Sequence, residues 1–175
     1  MNYWLFKTEP TSYGIDDLMR DKREHWDGVR NYQARNMLRD DIKKGDMVIF
    51  YHSSCKVPAA VGVAEVVKEG YPDFTAWDPQ SEHPDPKSTQ EKPLWYMVDI
   101  AFKKKFKNPA TLSEMRTISK LSDMRLLQRG NRLSLFPISK NTLIRWWSWV
   151  PNNMTVYYVY ILKCNDGSLY TGITT

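Results

Sequence analysis

Eleven residues, Trp26 to Asn36 (WDGVRNYQARN), bring together an indole, a glycine, two arginines and two asparagines. A segment that only had to fill a core would not need so many hydrogen-bonding side chains beside an aromatic, so the chemistry on offer is recognition. The segment opens an amphipathic helix running to about Ile42. Asn31 can cap it by accepting from the unpaired N–H groups of the first turn, while Tyr32, Met37 and Leu38 supply an apolar stripe. Trp26, Arg30 and the Gly28 turn are then left at the helix entrance, where free donors and a partial positive charge suit an anionic or carbonyl-bearing ligand. Trp26 itself reads either as a face on which a flat ring could stack or as a core indole.

Other polar groups fall at strand ends, where ligands are commonly met. Lys7 and Glu9 follow the first apolar run, either as a solvated pair or at the mouth of a pocket. His52-Ser53-Ser54 follows MVIFY, and these side chains either meet a ligand or satisfy turn backbone. Lys103, Lys104, Lys105 and Lys107 form the most basic stretch. As phosphate contacts they would steer without selecting sequence; otherwise they are a solvated face. No GxGxxG, GxxxxGK[ST] or HExxH occurs, and no Ser/His/Asp order stands out, so the first 150 residues show no catalyst.

The elements that must hold these groups can be read from apolar periodicity. Tyr3–Lys7 is a first strand ended by Pro10, and a short capped helix follows Ser12. Met47–Tyr51 is a buried strand. Ala59–Tyr71 alternates as another, with Gly62 a bulge and Gly70 a terminator. Pro72 to Pro93 holds five prolines and reads as a long irregular loop, in which Trp77 either covers the fold or forms part of a lid. Leu94–Phe106 is a strong strand that carries Asp99, an acid needing a partner in apolar surroundings. Two short helical pieces lie between Leu112 and Leu127 and end at Gly130 or Asn131. Arg132–Ile138 is the last strand of this set, and a tryptophan-rich helix from Thr142 to Val150 closes it. The fold class is α+β: a mixed β-barrel of five to six strands with short peripheral helices.

Composition agrees with a globular binding protein. The chain has 175 residues, 42% hydrophobic and 26% charged, with a net charge of +5, so an acidic polymer is a plausible partner. Seven tryptophans and ten tyrosines exceed what a core of this size needs and leave faces for base stacking. Cys55 and Cys164 belong to no CxxC or Cys/His cluster, which argues against structural zinc and for a reducing compartment. No secretory leader or stretch of eighteen apolar residues is present, so a cytoplasmic protein without a membrane span is expected.

YWLFKTEP, WDGVRNYQARN, MVIFYHSSCKVPAAVGVAEVV, the phrase from Tyr71 to Pro79, WYMVDIAF and NRLSLFPIS follow one another in the order and spacing of the EVE domain, over nearly all of residues 1–150. The resemblance implies a PUA-like barrel related to YTH domains, with a pocket that receives a modified nucleobase as a reader and not as a catalyst. Carried over, that pocket falls on Lys7, Trp26, Gly28, Val29, Arg30, Asn31, Tyr51, His52 and Ser53, with Leu126, Gln128 and Arg132 as further walls. Neither cofactor nor metal is implied. In this picture Trp26 is the stacking platform, and Asn31 and Ser53 read the base edge.

The tail differs in character. Val156–Thr175 reads as a hairpin around Asn165-Asp166-Gly167, joined to the preceding domain by a linker at 151–155. It resembles the opening hairpin of a GIY-YIG nuclease, with Val159-Tyr160-Ile161 and Tyr170-Thr171-Gly172 in the motif places. That family also uses an arginine and a metal-holding glutamate, and neither follows Tyr170 in this sequence. The expectation is therefore a non-enzymatic module that binds nucleic acid carrying a modified base, in DNA or alternatively RNA. Alternatives are the targeting half of a modification-dependent nuclease, or a PUA-like RNA binder. The residues imply nothing about oligomeric state.

Overall fold

Two runs too apolar to remain in water, YWLFKT and MVIFYH, become β1 (Tyr3–Thr8) and β3 (Met47–His52). They pair in parallel, and Leu5, Phe6, Val48, Ile49 and Phe50 are all fully buried. Strands covered on both faces read as continuous rather than alternating hydrophobic segments, as these do. The computed structural model describes residues 1–143, 158–163 and 169–174. Around the parallel pair lie α1 (Ile15–Asp21), β2 (Arg23–Trp26), α2 (Tyr32–Asn36), β4 (Ala59–Pro72), β5 (Tyr96–Thr111), α3 (Leu112–Thr117) and β6 (Leu135–Ile138). The sheet order is β2-β5-β4-β3-β1-β6, and every pairing except β1 with β3 is antiparallel.

The architecture is mixed α+β, but the expected barrel is not closed: among the described residues no pairing joins β2 to β6. Both outer strands are only four residues long, and Pro137 in β6 has no N–H to offer a further strand. β2 itself is not expected from the sequence, because REHW has no apolar alternation. It forms because Arg23 donates to Asp99 of β5 through Nε at 3.0 Å and Nη2 at 2.5 Å, while Tyr71 donates its hydroxyl to the other carboxylate oxygen. Asp99 thus has the partners its apolar strand demands.

The helix expected over 31–42 is shorter and changes pitch. Asn31 caps α2 by accepting from the Ala34 N–H at 3.0 Å, after which Met37–Asp41 forms a π-helical turn. Met37 and Leu38 face the core, whereas Tyr32 is exposed and stacks on Trp95 with ring centroids 5.0 Å apart. Gly62 lies at a register shift between β4 and β5, directly beneath Ile15 of α1. Gly70 does not end its strand; it lets the π-helical turn cross β4 against Leu38 and Arg39. Residues 140–143 are helical, and the remainder of the expected closing helix lies outside the described residues, as does the linker at 151–155.

β7 (Tyr158–Lys163) and β8 (Leu169–Thr174) form a separate antiparallel two-stranded sheet, with Tyr160 opposite Gly172 and Ile161 opposite Thr171. The turn expected at Asn165-Asp166-Gly167 lies outside the described residues. Among the described residues no helix is long and apolar enough to cross a membrane.

Candidate nucleic-acid interface

The end of β1, the end of β2, the segment from Asp27 to Asn31 and residues Gln80–His83 of the long loop surround an open cleft of about 940 Å³. Lys7, Trp26, Gly28, Val29, Arg30 and Asn31 all line it, together with Glu9, Glu24, Asp27, Glu82 and His83. Trp26 is only 9% exposed, its ring lying 5.1 Å from Phe6 and 5.6 Å, edge-on, from Phe50. It is therefore the floor of the cleft and largely a core indole, not the open stacking platform expected. Lys7 is half-buried with its ammonium 5.3 Å from the Phe136 ring centre, and among the described residues no carboxylate lies within ion-pair distance of it. Burial pushes its pKa down. A cation held in that state gains from an acceptor brought by a ligand.

Arg30 takes a different part from the one read in the sequence. Its guanidinium donates to Asp73 Oδ2 at 2.7 Å and, through Nε at 2.9 Å and a second nitrogen, to the His83 carbonyl. The Gly28 N–H donates to the same Asp73 oxygen at 3.2 Å, and Thr75 donates to Asp73 through both N–H and hydroxyl. Burial disfavours the Asp73 charge, yet these hydrogen bonds and the Arg30 charge together hold its carboxyl below the usual carboxylate range. Arg30 also lies over Trp95, and Arg35 over Tyr32, so the two cations flank the Tyr32–Trp95 stack. Much of WDGVRNYQARN thus anchors the loop that forms the far wall of the cleft. Gly28 has φ +69°, and a Cβ there would come 2.6 Å from the His83 ring. Glycine permits both the turn and this close approach.

Three expected pocket residues lie elsewhere. Tyr51 is 2% exposed inside the core, where burial pushes its hydroxyl pKa up to about 12. Ser53 donates its hydroxyl to the Thr8 carbonyl at 3.3 Å. His52 accepts the Ile15 N–H on Nε2 at 3.1 Å, serving the start of α1. These three do not line the cleft, because β3 and the turn after it carry them into the core or to local backbone groups. Leu126 packs against the core, while Gln128 and Arg132 line a smaller cleft of about 370 Å³ that adjoins the first at Asn31. The lysine run also divides. Lys103 pairs with Glu65, Lys105 with Asp16 at 2.6 Å, and neither these nor Lys104 and Lys107 line either cleft.

The His52 hydrogen bond makes a pH prediction. An imidazole that accepts on Nε2 must be neutral on that nitrogen, and burial lowers its pKa below the ordinary value. The stabilisation is whole above the unfolded value of about 6.5 and is lost as the pH falls through the lower folded one. Urea midpoints of the wild type should decline between about pH 7.5 and about pH 5 more steeply than those of His52→Gln, whose amide oxygen keeps accepting. Parallel declines would remove His52 from the account.

Glu9, expected with Lys7 at the mouth of a pocket, does line the cleft, and so do Glu24, Asp27 and Glu82, which the sequence does not single out. Asp27 lies within WDGVRN and Glu24 just before it, whereas Glu82 carries no local signal. A mostly antiparallel sheet whose edge strand and long loop enclose an open cleft lined by both apolar and polar groups defines a ligand-binding module. The EVE domain profile matches residues 2–145, and the chain belongs to that family. Mouse thymocyte nuclear protein 1 is 40% identical over 79% of this chain and 69% of its own length. A solved protein from Pseudomonas syringae, 44% identical, matches 83% of this chain and 97% of its own with a TM-score of 0.80. Human THYN1 in complex with DNA containing 5-methylcytosine is 35% identical and covers 87% of this chain and 99% of its own, also with a TM-score of 0.80.

Proposed function

We propose that this chain is a non-catalytic reader that takes a modified base of DNA, 5-methylcytosine in the first instance, into the cleft floored by Trp26. The observation that carries this reading is the open cleft of about 940 Å³, lined by apolar and polar groups, in a chain whose fold matches, over 87% of its length, that of a protein solved with 5-methylcytosine DNA. The lining suits cytosine. Its exocyclic amine donates, and Glu9, Glu24, Asp27 and Glu82 offer acceptors; its carbonyl accepts, and Lys7 and the Asn31 amide offer donors. Asn31 Oδ1 already accepts from Ala34, so its NH₂ is the group left for a ligand. Extruding the base costs a few kcal/mol, which these contacts and burial against Val29 and Trp26 offset. The methyl group adds about 0.8 kcal/mol if buried dry, a few-fold in affinity.

Fluorescence anisotropy with matched duplexes carrying cytosine or 5-methylcytosine tests this. The wild type should prefer the methylated strand a few-fold or more, and Lys7→Gln and Glu24→Gln should reduce that preference. Equal binding of both duplexes by the wild type would sink the reading. Trp26→Ala is a poor probe, because removing a core indole costs about 3 to 5 kcal/mol of stability.

A second reading, a module that directs GIY-YIG chemistry, draws on the hairpin register that sets Tyr160 opposite Gly172. Phosphodiester cleavage needs a carboxylate-held metal and a cation for the developing charge. The 175-residue polypeptide alone, given Mg²⁺, should leave the same duplexes intact. Cutting that Tyr160→Phe abolishes would favour this second reading.

A further inference from the structure

We infer that the smaller cleft beside Asn31 is a phosphodiester site, and that Arg125, Arg129 and Arg132 hold the backbone of the strand whose base enters the larger cleft. The inference rests on the reading above for its ligand, but on separate residues for its evidence. Gln33, Gln128 and Asn31 complete the polar lining, and no carboxylate is among the lining residues. Elsewhere Arg20, Arg23, Arg30 and Arg39 each hold an aspartate. Among the described residues, Arg125, Arg129 and Arg132 hold none. Arg125, Arg129 and Arg132 are all exposed. Three guanidinium groups facing one concavity repel one another until an anion arrives, and their planar forks match phosphate oxygens.

The local fold keeps them together. Arg125–Leu127 is a tight helical turn; Asn131 reaches back to donate to the Arg125 carbonyl at 3.1 Å and accepts the Leu133 N–H at 3.2 Å. Gly130, with φ +79°, reverses the chain between them. The larger cleft has the opposite electrostatics: four carboxylates line it, and one of its two cations, Arg30, is already held by Asp73. A phosphate is repelled there and attracted next door, so the shared wall at Asn31 orients a nucleotide with its base on one side and its backbone on the other. The lysine run is not the main grip on the backbone, since Lys103 and Lys105 are already paired.

The test is a salt titration of the full chain on the cytosine and 5-methylcytosine duplexes. Arg125→Gln/Arg129→Gln/Arg132→Gln should weaken binding to both by at least about tenfold and flatten the salt dependence by roughly one unit of slope for each phosphate no longer neutralised, with the methyl preference unchanged. Lys104→Gln/Lys107→Gln should leave the slope as in the wild type. Arg129→Gln alone, a single exposed change, should give a partial flattening, so a folding failure of the triple variant cannot obscure the result. An unaltered slope in the arginine variants, or loss of methyl preference without a change in slope, would overturn the inference. A flattened slope in a protein that shows no methyl preference would uphold the phosphate site and reject base reading.

Discussion

Asp73→Ala is expected to lower stability by about 3 kcal/mol and to abolish base binding. The carboxylate is fully buried and serves four donors: the Arg30 guanidinium, the Gly28 N–H and both donors of Thr75. Its removal leaves a partly buried Arg30 without its counter-charge and unfastens the loop wall from the cleft floor. Urea denaturation would read the first effect, and amide exchange over residues 75–85 the second. Arg30→Ala should be costly too, because it leaves a buried carboxylate unpaired. The double variant should cost less than the two singles combined, since the interaction can be removed only once. Strict additivity would show that the clamp is not a unit. The contribution is also pH-dependent. Folding lowers the Asp73 pKa, so the stabilisation is whole above the unfolded value of about 3.9 and vanishes as the pH falls through the folded one.

Gly62→Ala should cost about 2 to 3 kcal/mol although it adds one methyl group. The new Cβ would lie 2.5 Å from the Lys104 carbonyl oxygen and 2.8 Å from Ile15 Cδ1. The Ile15 side chain could turn aside, but the carbonyl belongs to β5, and moving it means parting the two longest strands of the sheet. Ile15→Val removes the Cδ1 clash, so if the carbonyl clash dominates, combining it with Gly62→Ala should not restore the urea midpoint. Full rescue by Ile15→Val would place the crowding in α1 and leave the β4–β5 approach unexplained.

Several features could be read along the chain. YWLFK, MVIFY and the long run after Leu94 are strands in the structure, and Asn31 caps the helix that follows it, because these follow from short-range pattern and side-chain chemistry. β2 is invisible to such reading because it is stabilised by Arg23–Asp99, a pairing across 76 positions. Glu24 and Glu82 of the cleft and Arg125 and Arg129 of its neighbour are equally hidden, since nothing in the local sequence distinguishes them from ordinary surface charge.

WDGVRNYQARN shows the division most plainly. By itself the sequence determined that this segment would turn at Gly28, start a helix at Asn31 and set an indole beside polar groups, since backbone freedom, capping and composition are local properties. Whether those groups would face a ligand or a neighbouring loop was decided only in three dimensions. There the buried Asp73 engages Arg30, Trp95 stacks on Tyr32, and a guanidinium that satisfies a buried carboxylate is no longer available to a ligand.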